Sequence, residues 1–233
     1  MNDLEDFFFN KNHRLMHKWR HYFEIYDTHL HHLRDQHVNI LEIGIAHGGS
    51  LQMWDYYFKG NATIYAIDIN PECKKFESDN VKIFIGSQDD KAFLQKVRDS
   101  IPKIDILIDD GGHRMKQQII TFETLFNHIT ENGIYICEDM HTSYWKTYGG
   151  GYRKKRSFVE YAKKLIDLLN AWHIKNMKPT DFTTSSHSMH FYDSVLVIEK
   201  RPMSSPFDVK SGEPAIKDEH ENQLLVNRQN DTV

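Results

Sequence analysis

An α/β fold built on a doubly wound, mostly parallel sheet is predicted by three features of this 233-residue chain. Short apolar runs alternate with amphipathic stretches, the runs end in glycines or acids, and no internal repeat interrupts the alternation. "VNILEIGI" (38–45) reads as the first strand, and the glycines behind it open a helix around "SLQMWDYYF". "TIYAID" (63–68) and "VKIFIG" (81–86) read as the second and third strands, followed by a helix in "KAFLQKVRDSI" (91–101). "IDILID" (104–109) is the fourth strand. Behind it, Met115, Ile119, Phe122, Leu125, Phe126 and Ile129 recur at helical spacing. A turn and fifth strand follow in "NGIYICED" (132–139), and then an amphipathic helix in "FVEYAKKLIDLLNAWH" (158–173). One or two late strands close the pattern in "MHFYDSVLVIEKR" (189–201), and "RLMHKWRHYFEIYDTHLHHL" reads as a helix before the first strand. The expected organisation is an N-terminal helical segment (1–36), one ligand-binding domain (37–201) and a polar, flexible tail (202–233).

Composition narrows the function classes. At 39% hydrophobic content the chain is large enough to bury a substantial core. A net charge of −4 offers no basic footprint for nucleic acid and no polybasic membrane surface. Cys73 and Cys137 are too few for a disulfide framework and lack CxxC spacing, which suits a reducing compartment. The first residues lack a signal-peptide pattern, and no apolar run approaches the roughly 20 residues of a membrane span. The expectation is a cytoplasmic protein without nucleic-acid or membrane partners, with a homo-oligomeric assembly left open.

In such a sheet, ligands bind at the carboxyl ends of the strands. "LEIGIAHGGS" (41–50) ends the first strand with Gly44, Gly48 and Gly49, and Ser50 opens the next helix. The spacing is not the G-x-G-x-x-G of dinucleotide binders. Glu42, just before the first glycine, suits a cationic amine better than a pyrophosphate, and S-adenosylmethionine carries such an amine. Asp68, ending the second strand about 20 residues on, is placed to bind ribose hydroxyls. Ser87 and Gln88 end the third strand, where they can meet an adenine edge. Each element alone is an ordinary turn or cap; the three in order point to a nucleoside-bearing cofactor.

The fourth and fifth strands both end in paired acids followed by a histidine: Asp109-Asp110 with His113, and Glu138-Asp139 with His141. Asp110, Glu138 and Asp139 brought together would repel one another unless a cation sat among them. Oxygen donors without cysteine suit Mg²⁺ or a similar divalent ion. Helix capping is the plainer reading of the same acids, and Asp109 is either such a cap or a cofactor contact.

These stretches together resemble the metal-dependent sugar O-methyltransferases, which methylate deoxysugars on macrolides such as mycinamicin and rhamnose on tetracenomycin- and elloramycin-type glycosides. "LEIGIAHGGSLQMW", "AIDINP", "GSQDD", "IDILIDDGGH" and "ICEDMHTSYW" carry the resemblance, which covers about residues 15–201. It implies a Rossmann-like class I methyltransferase domain, a seven-stranded sheet with an antiparallel late strand, S-adenosylmethionine, and a sugar acceptor on a glycoside, nucleotide-sugar or surface glycan. It also implies Mg²⁺ on Asp110, Glu138 and Asp139, His113 as general base, and Glu42, Gly44, Asp68 and Gln88 around the cofactor. The chain departs from the macrolide enzymes in lacking a large N-terminal domain and in its added tail.

The chemistry is coherent with that implication. Chelation of vicinal hydroxyls lowers their pKa, and a histidine titrating near neutrality removes the proton. "HTSYWKTYGGGYRKK" (141–155) is a candidate acceptor loop, with His141, Tyr144 and Trp145 weighed against an ordinary surface loop. Lys18, Trp19, Tyr22 and Tyr26 are candidates to close over the cofactor, although most such aromatics simply pack. His29, His31 and His32 do not share one helix face, which argues against zinc among those three. "RKKR" (153–156) reads as a solvated face. The competing readings are a catechol-type O-methyltransferase, a non-catalytic nucleoside-binding module, and an NAD-dependent sugar oxidoreductase.

Overall fold

Isoleucine and valine dominate the strand segments, and neighbouring residues bury on opposite faces. Ile40 and Leu41, adjacent in the first strand, fall in two separate core clusters, one on each side of the sheet. The computed structural model describes residues 1–213 and 215. Its strands are β1 (Val38–Ile43), β2 (Ala62–Asp68), β3 (Val81–Ile85), β4 (Ile104–Asp109), β5 (Ile129–Cys137), β6 (Ser186–Phe191) and β7 (Leu196–Lys200). They form one seven-stranded sheet in the order β3-β2-β1-β4-β5-β7-β6. β1 to β5 pair in parallel, whereas β7 runs antiparallel to both β5 and β6. The late antiparallel strand expected from the sequence is therefore β7.

The helices are α1 (Asp3–Asn10), α2 (Tyr22–Leu30), α3 (Gly49–Tyr57), α4 (Lys91–Ser100), α5 (Met115–Leu125), α6 (Phe158–Leu169) and α7 (Asp181–Ser185). Leu4, Phe7, Tyr22 and Phe23 from α1 and α2 share a core cluster with Trp54 of α3 and with Ile64 and Ile106 of the sheet. Residues 1–36 thus pack into the same core as the sheet. Phe122, Phe126, Tyr135 and Phe158 anchor the opposite face.

The N-terminal helix begins later than the periodicity predicts. Residues 11–21 carry neither helix nor strand and run as a strap across the carboxyl ends of the strands. Tertiary bonds hold them there: the Arg14 backbone N–H donates to Gln52 Oε1 at 2.8 Å, and Arg14 Nε donates to the Gly48 carbonyl at 3.1 Å. These contacts fix the segment in extended form against α3 and the glycine loop, so tertiary contact overrides periodicity here. α1 lies in a stretch that the sequence reading leaves without an element; its Asn2 cap accepts from the Glu5 N–H at 2.9 Å. Residues 202–213 and 215 carry no helix or strand; the rest of the expected tail lies outside the described residues. No helix among the described residues is long and apolar enough to cross a membrane.

Candidate active site

Register brings the motifs abreast. Ile43 pairs with Asp109 and Asp109 with Cys137, so the next residues, Gly44, Asp110 and Glu138, leave three adjacent strands at one level. This is the switch point between β1 and β4, where an open α/β sheet presents its crevice. Gly44 has φ +85°, and a Cβ there would lie 2.1 Å from the Asp110 carbonyl oxygen, so only glycine lets the two turns meet.

A cleft of about 470 Å³ opens at this level. Gly44, Ser50, Asp68, Ser87 and Gln88 line it, together with Asp110, His113 and Asp139. The strap forms its other wall through Leu15 to Lys18. The strap is seated on Gly49, where a Cβ would come within 2.5 Å of the Arg14 carbonyl oxygen. Asp68 braces the glycine loop, its Oδ2 accepting from the Ile45 and Ala46 N–H groups at 3.0 and 3.1 Å.

Three residues expected at the cofactor do not face this cleft directly. Asp109 is buried on the side of β4 opposite Asp110, as strand alternation requires, and its carboxylate accepts from Gln88 Nε2. A direct cofactor contact from Asp109 is replaced by a brace: Gln88 ties it to Thr121 of α5 (3.0 Å) and accepts the Gly112 N–H (3.0 Å). Glu42 is likewise buried and reaches the cleft only through Ser50, whose Oγ donates to it at 2.9 Å. Gly48 lies outside the lining and turns the chain into α3 with φ +72°. Burial pushes both the Glu42 and Asp109 carboxyls up to about 7.

The acids at the ends of β4 and β5 divide differently from the expected trio. Asp110, His113 and Asp139 offer ligand atoms within 4.8 Å of one another. His113 Nε2 lies 3.4 Å from Asp139 Oδ2 and 3.8 Å from Asp110 Oδ1. Both His113 (φ +51°) and Asp139 (φ +54°) adopt the left-handed conformation, which turns their side chains back into the cleft. Glu138, the first residue beyond β5, is not among these three and engages Lys18 and Tyr26. Lys18 Nζ donates to Asp110 Oδ2 at 2.6 Å and to the Glu138 oxygens at 2.8 and 2.9 Å, and the Tyr26 hydroxyl donates to Glu138 Oε1 at 2.6 Å. The Tyr22 hydroxyl donates to Asp139 Oδ1 at 2.7 Å.

Electrostatics show what this arrangement lacks. Lys18 is only 3% exposed. Burial opposes its charge, yet Asp110 and Glu138 hold it well above the ordinary lysine range. Burial pushes Asp110 and Glu138 up to about 7 against the pull of Lys18. Lys18 pairs with Asp110 and Glu138 but not with Asp139, so the three carboxylates, when all are ionised, exceed the one ammonium by two negative charges. Burial lowers the His113 imidazole below its ordinary value, and its buried Nδ1 has no hydrogen-bond partner. Lys18 was legible only as a residue that closes over the cleft; nothing in its local sequence announces that its charge reaches the acids.

The expected acceptor loop lies beside a second, more apolar cavity of about 400 Å³, lined in part by Met140, His141, Tyr144, Ile166 and Phe191. His141 does not enter the first cleft. Its ring nitrogen bonds Ser194 Oγ, and its ring packs between Trp145 (4.6 Å between centroids) and Trp19 (5.9 Å). Tyr144 and Trp145 are half exposed. Cys73 and Cys137 are free and buried.

Residues 41–140 match a family model described as a methyltransferase domain. The chain is 35% identical over 196 residues to an 8-demethyl-8-alpha-L-rhamnosyl tetracenomycin-C 2'-O-methyltransferase of Streptomyces olivaceus, covering 78% of this chain and 51% of that protein. It is 31% identical over 188 residues to the mycinamicin VI 2''-O-methyltransferase of Micromonospora griseorubida, covering 75% and 47%. The chain therefore spans about half the length of these curated relatives. Among solved structures, the MycE methyltransferase of the mycinamycin pathway, in complex with Mg, SAH and mycinamycin VI, superposes with a TM-score of 0.78 at 27% identity, over 97% of this chain and 59% of that one. The chain carries a class I, Rossmann-like methyltransferase domain and is homologous to sugar O-methyltransferases.

Proposed function

We propose that this protein is an S-adenosylmethionine- and Mg²⁺-dependent O-methyltransferase acting on a sugar hydroxyl of a glycoside, nucleotide-sugar or surface glycan. The observation that carries the reading is His113 Nε2 set 3.4 Å from Asp139 and 3.8 Å from Asp110, in one cleft with Asp68 and Ser87. The relatives named above methylate sugars, and one solved neighbour binds Mg and SAH. The residues present fit both groups. The unbalanced negative charge of the acid cluster suits a divalent cation held by Asp110 and Asp139. Glu138 joins that set only when Lys18 withdraws from it. The cleft, with Asp68 at the end of β2, suits a nucleoside.

When bound, the ion supplies a positive charge that lowers the pKa of vicinal hydroxyls, and the sulfonium cofactor supplies the methyl group. The remaining chemistry belongs to the chain. Burial lowers the His113 imidazole below its ordinary value and so favours the neutral form, which can accept the proton of the acceptor hydroxyl. The imidazolium so formed faces the Asp139 and Asp110 carboxylates, which stabilise its charge. Tyr22 and Tyr26 orient Asp139 and Glu138 from α2. No covalent intermediate with the chain is needed.

Transfer of a labelled methyl group from S-adenosylmethionine to a panel of rhamnosides, nucleotide-sugars and catechols, with Mg²⁺ and with EDTA, tests this reading. Mg²⁺-dependent labelling of a sugar is the expected result. Labelling of catechols alone would transfer the site to the catechol-type class, and labelling indifferent to EDTA would remove the metal.

A further inference from the structure

A second cluster of ligand-type side chains lies apart from the cleft, at the outer edge of the sheet. His29 near the end of α2, His190 of β6 and Glu199 of β7 each offer one ligand atom within 4.8 Å of the others. His29 Nδ1 lies 2.7 Å from Glu199 Oε1, and His190 Nε2 lies 3.8 Å from the same oxygen. His29 is buried, whereas His190 and Glu199 are part-exposed, so the cluster has a firm floor and an open mouth.

We propose that His29, His190 and Glu199 form a zinc site that clasps α2 to the β6–β7 edge. Two imidazoles and one carboxylate are a donor set that zinc takes in preference to Mg²⁺, leaving a fourth position for water. Ligand atoms around a tetrahedral ion with bonds of about 2.0–2.1 Å stand about 3.3 Å apart. The part-exposed His190 would close on Glu199 from 3.8 Å, and the part-exposed Glu199 carboxylate would open slightly from His29, now at 2.7 Å. The outer partners that a zinc site requires are already present. His29 Nε2 lies 2.9 Å from the Tyr192 hydroxyl, which would accept its N–H and leave Nδ1 free for the ion. Ser188 Oγ donates to Glu199 Oε2 at 3.2 Å; the ion would replace its 2.9 Å contact with His190 Nε2 and the 2.7 Å contact between His29 Nδ1 and Glu199 Oε1. The three ligands come from three elements, one of them α2, which also carries Tyr22 and Tyr26 to Asp139 and Glu138. Zinc at this edge would therefore hold in place the helix that orients the cleft acids.

The test uses the full chain stripped with EDTA, then titrated with zinc against a chromophoric chelator in saturating Mg²⁺, so that the cleft acids are occupied. The chain is expected to take up one equivalent of zinc and to gain in melting temperature. His190→Ala and Glu199→Gln alter part-exposed positions; each should lose at least about tenfold in zinc affinity and most of the thermal gain. Asp139→Asn should keep both, and Co²⁺ in place of zinc should give the visible absorption of a tetrahedral site. No zinc uptake by the unaltered chain, uptake unchanged in His190→Ala and Glu199→Gln, or uptake lost in Asp139→Asn would each overturn the proposal.

Discussion

The cleft and the sheet edge both gather histidine and carboxylate, in opposite proportion and with opposite electrostatic outcomes. In the cleft, three carboxylates share one imidazole and one ammonium, and burial wins: Asp110 and Glu138 are pushed up to about 7. At the edge, two imidazoles share one carboxylate. Burial works against Glu199 too, yet the hydrogen bond from His29 holds it below the ordinary range. The backbone differs as well. His113 and Asp139 sit in left-handed conformations on turns, whereas His190 and Glu199 sit on paired strands. A cluster with unbalanced charge and strained backbone suits a bound ligand; a cluster with paired donors and regular backbone suits a structural role.

Variants can separate the two roles. His113→Asn keeps a residue that tolerates positive φ while removing the base, and should lower turnover by about 10²–10⁴ with the fold intact. A near-normal rate in a methyl-transfer assay would give the proton to another group. Lys18→Met leaves Asp110 and Glu138 buried without their cation and should cost about 3–5 kcal/mol in urea unfolding, part of it recovered by adding Mg²⁺. Unchanged stability would mean that the acids are neutral in the folded chain. The pH profile should be smaller in amplitude. Glu42 and Asp109, pushed up to about 7, bind protons more tightly folded than unfolded. Their contribution is therefore present at low pH and is lost as pH rises from ordinary carboxylate values through about 7. Urea melts should show stability falling from pH 5 to 7, with a shallower fall in Glu42→Gln; a rise with pH that Glu42→Gln leaves unaltered would contradict this. The least effect belongs to the edge: in zinc-free chain, His190→Ala should change unfolding free energy by no more than about 1 kcal/mol, because the pair it breaks is part-exposed.

The sheet was legible because its strands alternate between two buried faces and end in glycines and acids, a local pattern. The same locality exposed Asp110, His113 and Asp139. Strand alternation also separates Asp109 from Asp110, since adjacent residues cannot share a face, yet grouping them by motif obscured it. Lys18 was out of reach for a different reason. Its partners stand 92 and 120 residues away, and the strap that carries it abandons the helical period around it. His29 does not share one helix face with both His31 and His32, and its partners arrive from β6 and β7.

The strap over residues 11–21 has a consequence for traffic through the cleft. It rests on Gly49 at one end and delivers the Lys18 ammonium to Asp110 and Glu138 at the other. Lifting it would uncover the cleft and strip a cation from the part-buried Asp110 and the buried Glu138 in one motion. Opening is thus an electrostatic event as much as a steric one. Any such opening should therefore respond to ionic strength and to a cation able to replace Lys18.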